Sequence, residues 1–600
     1  MKKALPSVLM ILVMAFALGA QQPSAPKPED VMKNMVLVNK TEPVPEKMKP
    51  GFESITARDS LALLSYISSD LMEGRETATR GIQLAAEYAA SLFKLWKVQA
   101  AGDLPVVARS MSSMFGGTPP APPVKGYLQE FVMKELSDVQ GRLTLDLRKD
   151  GTVKTRAFES GVDFQSMSST AESVSAPVVF AGYGITEKSA GWDELKGFDV
   201  KGKIVLVLSE APGKNDPKSP FQAKELKEKY FPPEGPFAFR MMGGFNKARE
   251  IAKLGALAVL QVQASGKDAD LYKTMAGPRP VDDARPIITE PRRRLLIPGA
   301  GDRMPWESSP IITITREMAD AILENSGTKI DDLQKRIEAT YKPASMMLPG
   351  TTITLSTTAK TSLVRCRNVV GYVEGSDPVL KNEVVVIGAH YDHLGKRGDY
   401  IFNGADDNGS GSVGVMNLAR AFAENPVKPK RTVVFCLWTG EEEGLLGSRY
   451  YVRNPAFPID KTVAYINLDM ISRPYDEKTI VRMGRMFNFP AAQELMKKIN
   501  PADFLPISLV AGAGLGEVFR EADRHIGLSL FLRESGANDR AGGGSDHSSF
   551  SAAKVPWAFC IAAMTEDYHQ TSDSVEKVSG DLMERISRLV YVAAFTIADK

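Results

Sequence analysis

All five histidines of this 600-residue chain (His390, His393, His525, His547 and His569) lie beyond residue 389. Acidic residues recur around them at the ends of apolar runs. GAHYDHLG carries His390 and Asp392, GADDNGSG carries Asp406 and Asp407, and WTGEEEGLLGS carries Glu441, Glu442 and Glu443. YINLDM brings Asp469, and EDYHQTSD brings His569. Imidazole and carboxylate ligands without thiolate suit Zn2+ or another borderline first-row cation. Two histidines and three acids suffice for two metals if one carboxylate bridges them, and a pair ~3.5–4 Å apart is a hydrolytic arrangement. His390 and Asp392 sit two apart, so on a strand they share a face and Asp392 can orient the His390 ring. The neighbours Glu441 and Glu442 cannot both point the same way from a strand. One can bind metal while the other takes a proton from water.

Any one of these segments alone reads equally well as a solvated loop; their ordered set is harder to dismiss. His393 reads as a hydrogen-bonded structural histidine, and His525, in EADRHIG, as an exposed loop or helix-end residue. His547, in GGGSDHSSF, reads either as a rim residue near substrate or as part of a core polar network. Competing signatures are missing: no histidine is followed by Glu, so there is no HExxH, and there is no G-x-S-x-G elbow. GAGLG at 512–516 is an incomplete dinucleotide fingerprint.

The elements that must position these residues are α/β in texture. NEVVVIGAH, RTVVFCLWTG, KTVAYINLDM and VPWAFCIAAM read as buried strands, SGSVGVMNLARAFAEN as a helix, and the tail from Asp573 as helical. Buried strands alternating with helices argue for a mostly parallel sheet covered on both faces. Ligand crevices in such sheets lie outside the carboxyl ends of the strands, so distant segments converge on one rim. Upstream, ARDSLALLSYISSDLMEG and TRGIQLAAEYAASLFKLW read as two amphipathic helices, and 109–124 as a Pro/Gly/Ser/Met-rich surface loop. A β-rich block runs from about 140 to 345, with strands in APVVFAGYGI and KGKIVLVLSE and a helix entering a strand in FNKAREIAKLGALAVLQVQA. It includes a Pro/Arg-rich loop at 277–310 and the helical MADAILENSG, and it has no histidine.

Composition sets the outer bounds. Hydrophobic residues are 43% and charged residues 24%, an ordinary globular balance, and the length allows up to roughly four domains. A net charge of +2 and a basic patch of only Arg292, Arg293 and Arg294 exclude a general nucleic-acid binder. Lys2 and Lys3 precede an apolar run from Ala4 to Leu18 and the small residues Gly19 and Ala20, the order of a signal peptide over residues 1–20. The run is broken by Pro6, is shorter than a membrane span, and no Cys follows it, so no stable anchor is expected. The mature protein is therefore expected to be exported, periplasmic or secreted, with residues 21–50 as a linker. Cys366, Cys436 and Cys560 read as buried free thiols, with one disulfide as the alternative; there is no Cys-x-x-Cys.

GAHYDHLG, GADDNGSG, TGEEEGLLGS, NLDM and YHQTSD, in that order over 362–600, resemble the exported zinc peptidases of metallopeptidase family twenty-eight (clan MH). That family includes bacterial aminopeptidases and glutamate carboxypeptidase II. SDHSSF resembles a further segment of it, and SDLMEGRETATRG (69–81) resembles its N-terminal helical region, which assigns 51–137 to the catalytic domain. VVFAGYGI, DVKGKIVLVL and NKAREIAKLGALAVL resemble a protease-associated (PA) domain, inserted at 140–345. The resemblance implies an α/β zinc-peptidase domain, its central sheet flanked by helices, plus this β-rich insertion. It implies two Zn2+ per chain: His390 and Asp469 on one, Glu442 and His569 on the other, with Asp407 bridging. Asp407 rather than Asp406 is implied because the family's bridging acid precedes by three the Ser of its Ser-Gly pair, here Ser410. Glu441 becomes general base and then general acid, Asp392 supports the His390 ring, and the Asp407–Asn408 peptide is expected to be cis. The implied activity is release of N-terminal residues from peptides. The alternatives are a carboxypeptidase, which needs arginines such as Arg533 or Arg540 to clamp a terminal carboxylate, a single-zinc glutaminyl cyclase, and a non-catalytic receptor-like protein. Retention of every ligand and the base argues against the last two. The long loops near 115 and 292 depart from the family pattern and bear on substrate preference.

Overall fold

Two helices lead into the fold of this computed structural model: α1 (Ala57–Ile67) and α2 (Arg80–Leu95). The Thr56 side chain caps α1 by accepting from the Asp59 amide, and both helices bury one apolar stripe, including Leu64, Ile67, Ala86 and Phe93. The first helix stops at Ile67, short of the extent its periodicity suggests. Residues 70–75 form tight turns in which Glu73, Gly74 and Arg75 all have positive φ. The structure describes residues 33–600 except 103–104, 107–123, 161, 167–172, 232–246, 249, 265–292, 299–309, 481–497 and 536–543. The expected signal peptide, the loop near 115, Arg292, Arg540 and most of the Pro/Arg-rich loop lie outside the described residues.

Two long strands, β1 (Leu128–Lys149) and β2 (Met346–Val373), pair antiparallel from Leu128 opposite Val369 to Leu147 opposite Thr351. The ladder shifts register once, between Thr358 and Lys360. One end of the ribbon packs into a second hydrophobic core, where Leu143, Leu145, Ile353 and Leu355 meet Phe180, Leu206 and Leu260. That core sits on four mutually parallel strands at Val174–Phe180, Ile204–Leu208, Ala258–Val262 and Ile311–Ile314.

The other end of the ribbon enters the main sheet. Its longer remaining strands are β3 (Val384–His390), β4 (Thr432–Trp438), β5 (Thr462–Leu468), β6 (Phe504–Val510), β7 (Ser529–Ser535) and β8 (Trp557–Cys560). The short Gln99–Ala100 and Met35–Leu37, the latter within the expected linker 21–50, pair antiparallel with β2 and β7 respectively. The spatial order is β2–β4–β3–β5–β8–β6–β7. β4, β3, β5 and β8 are parallel to one another, whereas β2 and β6 join them antiparallel. The sheet is therefore parallel at its centre and mixed at its flanks. Helices α3 (Gly411–Glu424) and α5 (Gly580–Asp599) join α1 and α2 on one face. Trp438, Tyr451, Tyr465, Phe550 and Trp557 fill the other face beneath α4 (Leu446–Arg453). Cover on both faces explains why β3 and β4 are apolar without alternation. Cys366, Cys436 and Cys560 are buried and unpaired, and among the described residues no helix is long and apolar enough to cross a membrane.

Candidate metal centre

The parallel strands end level with one another, His390 lying opposite Trp438 in the β3–β4 ladder. His390 closes β3, Glu441 and Glu442 lie in the turn after β4, Asp469 follows β5 directly, and His569 lies in the loop after β8. Asp407 comes from the turn that opens α3. These six side chains meet on one rim. His390 Nε2 is 3.5 Å from Asp407 Oδ1, 3.4 Å from Asp469 Oδ1 and 4.0 Å from Glu441 Oε2. His569 Nε2 is 3.1 Å from Asp407 Oδ2 and 3.3 Å from Glu442 Oε2. Asp407 thus presents one oxygen to each imidazole. The Asp407–Asn408 peptide is cis, as expected.

A set of buried polar groups holds this arrangement. Asp573 accepts the backbone N–H groups of Asp406 and Asp407, at 3.0–3.1 Å. The Asn408 side chain accepts from Gly411 and Met470 and donates to the Leu468 carbonyl, which ties the turn to the end of β5. Asp406 turns away, its carboxylate accepting the amide and hydroxyl of Ser472. Gly404, at φ +54°, leads into the turn; a Cβ there would lie 2.1 Å from the Asp407 carbonyl oxygen and 2.5 Å from the His393 ring. Arg75 is fully buried and donates to the carbonyls of Tyr391, Ile67, Asn403 and Gly404. His390 Nδ1 is 3.2 Å from the Asp392 carbonyl oxygen and 3.7 Å from its carboxylate. That carboxylate accepts the backbone N–H groups of Glu441 and Glu442, at 3.1 and 3.2 Å, and the Thr77 hydroxyl.

Charge is concentrated here, and burial sets the two glutamates apart. Burial opposes the charged forms of His390 and His569, yet the surrounding carboxylates outweigh it and hold both rings' protons well above the ordinary histidine range. Burial likewise works against ionised Glu442, but His569 and His393 pull its carboxyl well below the usual value. Glu441 goes the other way: burial dominates over the attraction of His390 and pushes its carboxyl well above the carboxylate range. Burial raises Asp392 to about 6.

The remaining sequence candidates fall into place around this rim. His393 Nδ1 lies 2.8 Å from Glu442 Oε1, so His393 borders the centre and leaves Glu442 Oε2 facing His569. His547 is buried against Phe559 and Trp557. His525 lies elsewhere, with Nδ1 3.1 Å from the Glu42 carbonyl. Arg533 is exposed on β7, two strands beyond β8. Arg75, Thr77, Asn408 and Asp573 are the supporting residues that sequence reasoning missed. Asn408 and Asp573 stood within motifs already singled out, so a search for side chains able to hold adjacent backbone amides would have found them.

The donor chemistry fits zinc: imidazoles and carboxylates only, with the ligating atoms of His390, Asp407 and Asp469 within 4.8 Å of one another, and likewise those of His393, Asp407 and Glu442. Fold and site together define an α/β domain with a buried cluster of imidazoles and carboxylates, able to hold metal, at the carboxyl ends of its parallel strands. Residues 368–594 match the model of Peptidase family M28. The chain is 28% identical over 269 residues to leupeptin-inactivating enzyme 1 of Streptomyces exfoliatus, covering 43% of this chain and 54% of that one. Two proteins of Arthroderma benhamiae are also similar. A probable glutamate carboxypeptidase is 33% identical over 27% of this chain and 22% of its own, and a probable leucine aminopeptidase 2 is 40% identical over 18% and 20%. The chain thus spans about half the length of the first relative and about a fifth of the other two. Among solved structures, an aminopeptidase from Aneurinibacillus sp. strain AM-1 aligns over 91% of this chain and 95% of its own, at 19% identity and a TM-score of 0.48.

Proposed function

We propose that this chain is an exported dinuclear zinc aminopeptidase. The observation that carries the reading is the position of Asp407, one carboxylate oxygen toward His390 and Asp469 and the other toward His569 and Glu442. His390 and Asp469 would hold one zinc and Glu442 and His569 the other, with Asp407 shared between them. Zinc bound there supplies Lewis acidity, which polarises the scissile carbonyl and brings the pKa of water toward neutrality. Glu441 takes the proton of the attacking water and returns it to the leaving amine. Asp392 fixes the Glu441 and Glu442 amides and backs the His390 ring.

A rim lined by carboxylates favours a substrate's free α-ammonium, whereas a carboxypeptidase needs an arginine clamp. Arg533 is exposed on β7. Residues 51–137 and 362–600 form the catalytic domain in this reading, with 140–345 inserted as a protease-associated domain and residues 1–20 directing export. The test is a panel of dipeptides and amino-acid arylamides with free and blocked termini, assayed with and without chelator. Cleavage should require a free N-terminus, stop on chelation and return with zinc. A requirement for a free C-terminal carboxylate would identify a carboxypeptidase instead. Cyclisation of N-terminal glutamine with one zinc per chain would identify a cyclase.

A further inference from the structure

Segment 140–345 reaches the surroundings of the metal centre through Arg293. This residue precedes the short strand Arg294–Leu296, which pairs antiparallel with β1 so that Leu295 lies opposite Glu135. The guanidinium meets three groups there. Nε is 3.2 Å from Glu76 Oε1, Nη1 is 3.1 Å from Glu135 Oε1, and Nη2 donates to the Thr77 carbonyl. Arg397 takes Glu76 from the other side at 3.0 and 3.2 Å, and the second Glu135 oxygen accepts the Ser362 hydroxyl at 2.7 Å. These ion pairs are largely shielded from solvent, Arg293, Glu76 and Glu135 being 19%, 15% and 17% exposed.

Thr77 is buried and held at both ends. Its carbonyl is bound by Arg293, and its hydroxyl donates to Asp392 Oδ2 at 3.1 Å. The same carboxylate accepts the Glu441 and Glu442 amides. A continuous hydrogen-bonded path therefore runs from the segment's guanidinium, through one residue of the N-terminal region, to the turn that carries the proposed base and a proposed ligand.

We propose that Arg293 is a positioning residue: through Thr77 and Asp392 it sets where the 441–442 turn places its two carboxylates, so that segment 140–345 takes part in catalysis without touching the reacting atoms. The inference rests on the reading of Glu441 and Glu442 given above. Positioning on this scale is consequential, because a misplacement of about 1 Å can cost on the order of a hundredfold in rate. A simple tether between the two regions would lower stability and leave turnover of folded, zinc-loaded enzyme unchanged.

A double-mutant cycle on the full zinc-loaded chain tests this. Arg293→Met and Thr77→Val should each lower kcat roughly tenfold to a hundredfold, with KM within about twofold of wild type, and each should speed zinc release to a chelator. The double variant should be no worse than the poorer single one, because both break one path. Arg293→Lys should recover part of the loss, since an ammonium can meet one acceptor but not the fork. Unchanged kcat in Thr77→Val overturns the proposal even if Arg293→Met fails to fold, and so do additive effects in the cycle. Glu441→Gln, measured alongside, separates the two readings. If it keeps wild-type turnover, the site assignment fails and the relay with it; if it loses turnover while the cycle is additive, the relay alone fails.

Discussion

Glu441 and Glu442 are adjacent in sequence and differ in their surroundings. Glu442 is bound by His393 and faces His569, whereas Glu441 comes no closer than 4.0 Å to His390 and is held through its backbone, its amide donating to Asp392 and its carbonyl accepting from Gly444 and Leu445. Glu441→Gln should fold, keep two zinc ions per chain and lose at least ~10²–10⁴-fold in kcat, the usual cost of a lost general base. Glu442→Gln should weaken metal affinity, as seen in metal content after dialysis against a chelator. If the effects are exchanged, so are the roles. Residue pattern placed both glutamates on the rim but could not separate them, because two neighbours in a turn have no periodicity to tell them apart; only the family resemblance assigned Glu441 as base and Glu442 as ligand. Asp406 and Asp407 pose the same problem: the resemblance chose Asp407 by its spacing from Ser410, and the physical distinction lies in Ser472, distant in sequence, which holds the Asp406 carboxylate facing away.

The turns between α1 and α2 show what helical periodicity misses. The apolar pattern of ARDSLALLSYISSDLMEG continues past Ile67, yet the chain leaves the helix and takes up left-handed conformations at Glu73, Gly74 and Arg75. That departure puts the Arg75 guanidinium under the Asn403–Gly404 backbone, just before the turn that carries Asp407. Arg75→Met takes the guanidinium donor from the carbonyls of Ile67, Tyr391 and Asn403 and leaves Gly404 with the Gly409 amide alone. It should cost on the order of 3–5 kcal/mol, read as a shift in the denaturant midpoint of the metal-loaded protein. Arg75→Lys should restore little, because one ammonium cannot span four acceptors. The strands, by contrast, were legible: β3, β4, β5 and β8 are doubly covered, and their near-unbroken apolar runs say so. The antiparallel flanks were not legible, because an apolar strand reads the same in either direction.

For the molecule as a whole, zinc and protons should be interchangeable stabilisers of the centre. In the metal-free chain burial raises Asp392 to about 6 and raises Asp546, buried just before the short helix His547–Ala552 and within electrostatic reach of His390 and Asp469, to about 7, against an ordinary aspartate near ~3.9. Protonation of these groups favours the fold, so their contribution is complete below about pH 4 and is lost as pH rises through about 6 and about 7. Melting temperatures taken in chelator should show wild type losing stability relative to Asp546→Asn between pH 4 and 7, and the difference should level off above that range. Parallel profiles for the two proteins would contradict the argument. The change of texture near residues 140 and 345 was visible in the sequence, but the strands that cross it were not, since their alternation is the same in either core. Those strands bear on how such a chain can be recombined. β1 and β2 run unbroken from one core into the other, so the transplantable unit is a paired ribbon rather than a stretch of sequence. A graft of the second core would have to exchange both strands together, spliced at the register shift between Thr358 and Lys360. One residue gained or lost in either strand alone would change the register of one lobe relative to the other and turn that strand's inward side chains on one side of the splice out to water.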